Sequence, residues 1–108
     1  MVYTISELQD IITPIARKYG LRAVYLFGSY ARGTAKESSD VDLLIDTTGT
    51  AIKSLLDLGA VYCDLEEALR KPVDLLTVSS FSQSAQMPSE DAFRKTVQEE
   101  RKVLYAVA

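Results

Sequence analysis

Hydrophobic positions recur along the chain with two different periods. Ile5, Leu8, Ile12, Ile15 and Tyr19 fall at helical spacing. Ahead of them Thr4-Ile5-Ser6-Glu7 reads as a capping box, with Tyr3 and Leu8 placed as a hydrophobic staple. Gly20 is a natural terminator, and Pro14 is expected to bend the helix. Within Arg22 to Phe27, Val24-Tyr25-Leu26-Phe27 is apolar on both faces, as a buried central strand requires. Asp40 to Asp46 alternates instead, with Val41, Leu43 and Ile45 on one face and Asp40, Asp42, Leu44 and Asp46 on the other. Gly28 to Ser39, between these strands, is polar; its first residues predict one helical turn with Ser29 as cap and Gly33 as stop.

Gly49 and Thr50 open a long helical pattern through Ile52, Leu55, Tyr62, Leu65 and Leu69, with Gly59 inside it. Pro72 to Val78 reads as a third strand, its proline at the first residue. Ser79 to Pro88 is a polar loop, Ser89 to about Arg101 a helix (Phe93, Val97), and Val103-Leu104-Tyr105 a last, edge strand. Helices alternating with strands in this order predict an α/β fold, one sheet with helices packed on it.

Composition narrows the chemistry. A chain of 108 residues with 47% hydrophobic residues is expected to be one domain, residues 1–108, with an ordinary core. The net charge of −3 argues against direct nucleic-acid binding, which needs a clustered basic face. No apolar run approaches the roughly 20 residues of a membrane span. Met1 to Asp10 lacks the basic start and apolar stretch of a signal peptide. The single cysteine, Cys63, fits a reducing, cytoplasmic compartment.

The absence of histidine excludes more than any of these. Ser-His-Asp and Cys-His nucleophiles, HExxH zinc sites and histidine proton shuttles are all ruled out. Carboxylates, hydroxyls, Lys and Arg remain, a set suited to hard cations and above all magnesium.

The informative segment is LFGSYARGTAKESSDVDLLID, Leu26 to Asp46. A buried strand ends in Gly28-Ser29, ten residues follow, and the next strand opens with Asp40-Val41-Asp42. Strand alternation sets Asp40 and Asp42 on one face, where two bare carboxylates repel and a divalent cation relieves the repulsion. Gly28 lets the backbone approach a ligand closely. Ser29 offers a hydroxyl and nearby N–H groups to a phosphate, and Arg32 and Lys36 stand in the same loop as further phosphate contacts. Asp74 lies amid apolar strand residues, where an aspartate is costly unless paired or bound to metal.

Gly-Ser, ten residues, Asp-x-Asp on a strand and a further Asp on a later strand resemble the polymerase-β-type nucleotidyltransferases. The wording GSYARG, SSDVDLLID and PVDLLT is similar to the minimal nucleotidyltransferase (MNT) group, over nearly the whole chain. The resemblance implies a nucleotidyltransferase fold with a single small mixed β-sheet. It implies that Gly28 and Ser29 hold the triphosphate of ATP, that Asp40 and Asp42 bind two magnesium ions, and that Asp74 completes one metal site. The reaction implied is two-metal transfer of AMP from ATP to a hydroxyl, which needs no histidine base.

Stand-alone MNT proteins are typically paired with a HEPN-domain toxin and can adenylylate a tyrosine on it, so the resemblance implies an antitoxin with a HEPN partner. Two other readings stay open: a catalytically silent antitoxin acting by complex formation, and a small-molecule nucleotidyltransferase. Retention of Asp40, Asp42 and Asp74 favours activity. The apolar tail Val103 to Ala108 beside an edge strand predicts self-association or partner capture. Asp46 reads as a strand-end solvent residue, Cys63 as a buried residue of the long helix, and Glu99 to Lys102 as a solvated helix end. Tyr62 and Tyr105 read as core or interface residues.

Overall fold

The computed structural model describes residues 2–50, 52, 54–77 and 101–107. The first helix, α1 (Ile5–Tyr19), starts on the predicted capping box. The Glu7 N–H donates to Thr4 Oγ1 at 3.1 Å, and the Thr4 N–H donates to Glu7 Oε1 at 2.9 Å. Pro14 lies inside α1, which ends where Gly20 turns left-handed at φ 64°. Leu8, Ile12 and Ala16 form its buried stripe. Tyr3 packs against the same core, and its hydroxyl donates to the Leu69 carbonyl at 2.6 Å, joining the start of one helix to the end of another.

Strand β1 (Ala23–Phe27) runs into the short helix α2 (Gly28–Arg32), which Gly33 stops in a left-handed conformation at φ 79°. Strand β2 is Val41–Asp46, and α3 is Leu55–Leu69. The helix begins five residues later than Thr50. There the Ser54 hydroxyl accepts from the Asp57 N–H at 3.2 Å, whereas Thr50 closes a turn by donating its hydroxyl to the Thr47 carbonyl at 2.6 Å. Serine three residues before an acidic side chain is the stronger N-terminal signal.

Leu55 is therefore a first-turn residue, 87% exposed, and not part of the apolar stripe. Val61, Leu65 and Leu69 make that stripe, and Cys63, two positions off it, is exposed rather than buried. Tyr62 is exposed too, its hydroxyl donating to Glu66 Oε2 at 2.8 Å, while Tyr105 packs against the core as expected.

Strands β3 (Val73–Thr77) and β4 (Lys102–Ala106) complete one sheet of order β3-β2-β1-β4 among the described residues. β1 is antiparallel to β2 and β4; β2 is parallel to β3. The sheet is mixed, and α3 lies in the crossover that a parallel pair demands. The expected helix from Ser89 lies outside the described residues up to position 100. At its expected end Arg101 is in no helix and Lys102 opens β4, so Lys102 is a strand residue and not part of a solvated helix end.

One face of the sheet (Val24, Leu26, Val41, Leu43, Ile45) packs with Leu8 and Ile12 of α1 and Val61 and Leu65 of α3. The alternate positions turn the other way, where Phe27 and Leu44 cluster with Tyr25 and Leu76. That second face also receives the strand aspartates. Among the described residues no helix is long and apolar enough to cross a membrane.

Candidate active site

Register brings the predicted residues together. Phe27, the last residue of β1, pairs with Asp42, and Asp42 pairs with Asp74 across the parallel ladder. Paired residues on neighbouring strands share a face, so these two carboxylates rise side by side from strands about 4.8 Å apart. The Val41 N–H donates to the Pro72 carbonyl at 3.1 Å, so β2 and β3 begin together. Asp40 precedes β2 by one residue and is exposed, at the margin of the pair.

The turn after β1 comes up against the same carboxylate. Gly28 sits at φ 73°, and a Cβ built there would lie 2.0 Å from Asp42 Oδ2 and 2.9 Å from its Cγ. A side chain at position 28 and the Asp42 carboxylate would claim one space, and the left-handed backbone is one that other residues rarely adopt. Asp42 is half-buried, and its pKa is pushed up to about 6. Burial is the main cause, followed by the negative charges of Asp74 and Asp40, with Arg32 opposing.

Ser29 lies inside α2 rather than capping it. Phe27, whose side chain has no acceptor, occupies the cap position, and the helix starts at the left-handed Gly28, one residue earlier than expected. Arg32, at the end of α2, is exposed and acts on Asp42 through its charge. Lys36 is exposed in a turn closed by Ser39, whose hydroxyl accepts the Lys36 N–H at 2.8 Å, and it is not among the charges acting on Asp42. Asp46 ends β2 as expected but is half-buried rather than a solvent residue: its Oδ1 accepts from the Thr48 N–H at 2.9 Å, and Arg22 Nε stands 3.9 Å from Oδ2.

Among the described residues no three carboxylate, Cys or His side chains converge closely enough to cage an ion alone. Magnesium does not need such a cage, since it usually takes one or two carboxylates and completes its shell with substrate phosphates and water. A half-buried aspartate whose proton affinity is raised by burial and then by two neighbouring carboxylates fits that donor pattern.

Sequence reasoning passed over Lys71. Its ammonium donates to the Glu37 carbonyl and to the Ser39 carbonyl at 3.4 Å, and it stands 5.9 Å from the centre of the Tyr30 ring. The only sequence signal was a cation immediately before Pro72; nothing marked partners more than thirty residues upstream.

The carboxylates of Asp42 and Asp74 are thus paired across a parallel ladder, against a glycine turn without a side chain. The chain belongs to the nucleotidyltransferase domain family, whose model matches residues 8–104. It is a nucleotidyltransferase.

A Methanocaldococcus jannaschii relative, provisionally named a protein adenylyltransferase, is 47% identical over 76 residues, 70% of this chain and 80% of its own. Protein adenylyltransferase MntA of Thermococcus cleftensis is 41% identical over 81 residues, 71% of this chain and 80% of its own. Among solved structures, a mutant of the MntA–HpeT toxin–antitoxin complex matches with a TM-score of 0.67 and 26% identity, covering 92% of this chain and 72% of that one. These comparisons agree with the MNT resemblance and with the mixed-sheet fold.

Proposed function

We propose that this protein transfers AMP from ATP to a hydroxyl on a partner protein, a tyrosine of a HEPN-type toxin, and thereby acts as its antitoxin in the cytoplasm. The observation that carries the reading is Asp42, held between the Gly28 turn and Asp74 with a raised proton affinity. The relatives named protein adenylyltransferase support the reaction, and the MntA–HpeT complex supports the partner.

In this reading Gly28 leaves room for the triphosphate, while Ser29 and Arg32 bind its oxygens. Asp40, Asp42 and Asp74 would hold two magnesium ions, which when bound neutralise the phosphates and make the acceptor hydroxyl more acidic. The acceptor oxygen attacks the α-phosphorus, the bond from that phosphorus to the bridging oxygen breaks, pyrophosphate leaves and the hydroxyl proton is released.

The test is transfer of label from α-labelled ATP, with magnesium, to a HEPN-type toxin offered as acceptor. Label should appear on the toxin, and Asp42→Asn should reduce it by about 100-fold or more, beyond what loss of a supporting residue causes. The circular dichroism spectrum of that variant should be unchanged. Full activity in Asp42→Asn would remove the metal-site assignment. A stable complex that takes no label would favour the silent antitoxin.

A further inference from the structure

Asp40 has no place in the sheet ladder, because β2 begins at Val41. It sits between Val41, whose N–H is fixed to the Pro72 carbonyl, and the turn before it. Within that turn the Ser39 N–H donates to the Lys36 carbonyl at 2.9 Å, and the Lys36 N–H returns to Ser39 Oγ. Lys71 ties the turn to the segment that opens β3, through the Glu37 and Ser39 carbonyls.

The same ammonium faces the Tyr30 ring, one residue beyond Ser29 in α2. Tyr30 is 5% exposed and its hydroxyl makes no hydrogen bond, so the ring face is what Lys71 uses. Lys71 itself stands three residues before Asp74. One half-buried cation therefore meets three pieces of the site: the turn that delivers Asp40, the helix that carries Ser29, and the segment that leads to Asp74. A lysine suits the task because its compact ammonium has three donors that can serve two carbonyls while facing a ring.

We propose that Lys71 is a positioning residue for nucleotidyl transfer, locking the Glu37–Ser39 turn so that Asp40 is held in place relative to Asp42 and Asp74. In this role Lys71 acts through the backbone of the turn and not on the substrate itself. The inference rests on the reading that Asp40, Asp42 and Asp74 hold the metal.

The experiment is electron paramagnetic resonance titration of Mn2+ into the protein saturated with α,β-methylene ATP, an analogue that cannot be transferred. Wild type, Lys71→Met, Lys71→Arg and Asp40→Asn are compared, with transfer kinetics alongside. Lys71→Met should weaken Mn2+ binding and lower kcat by about 10-fold each, in the range seen when a residue supporting a metal ligand is lost. Nucleotide affinity without metal should not change. Lys71→Arg should restore most of both, because it keeps donors and charge.

Wild-type Mn2+ affinity and kcat in Lys71→Met, with Asp40→Asn still impaired, would overturn the role of Lys71 alone. Wild-type Mn2+ binding in Asp40→Asn would overturn the metal-site reading and this inference with it. If Lys71→Met does not fold, Lys71→Gln against Lys71→Arg carries the same comparison: equal behaviour overturns the proposal, and impairment of Gln alone supports it.

Discussion

Gly28 and Asp42 hold the site together through the space one leaves for the other. Gly28→Ala meets two obstacles, a left-handed backbone and a carboxylate oxygen 2.0 Å from the new methyl carbon. The variant is expected to lose about 1–3 kcal/mol of stability, read as the midpoint of urea unfolding, and to lose metal binding as Asp42 is displaced. Asp42 also ties the site to pH. Its pKa in the folded chain, about 6, lies above the ordinary aspartate value, so the folded state holds that proton more tightly than the unfolded one. The stabilising contribution is complete at acid pH and is lost as pH rises through about 6.

A displacement of this size corresponds to about 3 kcal/mol if fully expressed, and solvent screening at a half-buried group leaves about 1 kcal/mol. Without metal, Asp42→Asn should therefore be about 1 kcal/mol more stable than wild type near pH 8, the difference vanishing near pH 4. Protons compete with cations for the same carboxylate, so Mn2+ affinity should fall as pH drops below about 6.

At the scale of elements, helix ends carry their own tests. Arg70 ends α3 in a left-handed conformation at φ 54°, donating its N–H to the Glu66 carbonyl. Glycine adopts that conformation without steric cost, so Arg70→Gly should raise stability by about 0.5–1 kcal/mol in thermal unfolding. Where local chemistry was distinctive, the sequence was readable: the Thr4–Glu7 box, the stops at Gly20 and Gly33, and the alternation of β2 all lie where their residues demand. The start of α3 was less legible, because Gly49-Thr50 and Ser54-Leu55 both resemble helix openings and only the turn on Thr47 decides between them. Cys63 was misjudged for a related reason, since one apolar side chain does not reveal its helical face until the buried stripe is known. Of the candidate site, the Gly28, Ser29, Asp40, Asp42 and Asp74 positions were visible as a spaced motif. The contact of Asp42 with the Gly28 turn and the reach of Lys71 to Glu37 were not, because both depend on how distant segments pack.

The whole molecule hangs on the two inner strands, which are packed on both faces. Leu43, fully buried in β2, faces the side covered by α1 and α3. Leu43→Ala should cost about 3 kcal/mol, lowering Tm by roughly 15 °C in a single transition followed by circular dichroism and tyrosine fluorescence together. The parallel pairing of β2 with β3 has a further consequence. A chain that has joined only β1 to β2 already sets Gly28 against Asp42, but it lacks Asp74 until the α3 crossover is complete. The carboxylate pair therefore forms only once that crossover has closed, after the β1–β2 contact is made. If the carboxylates hold metal as proposed, a partly folded chain would be without its full site, and metal binding would report that the crossover had closed.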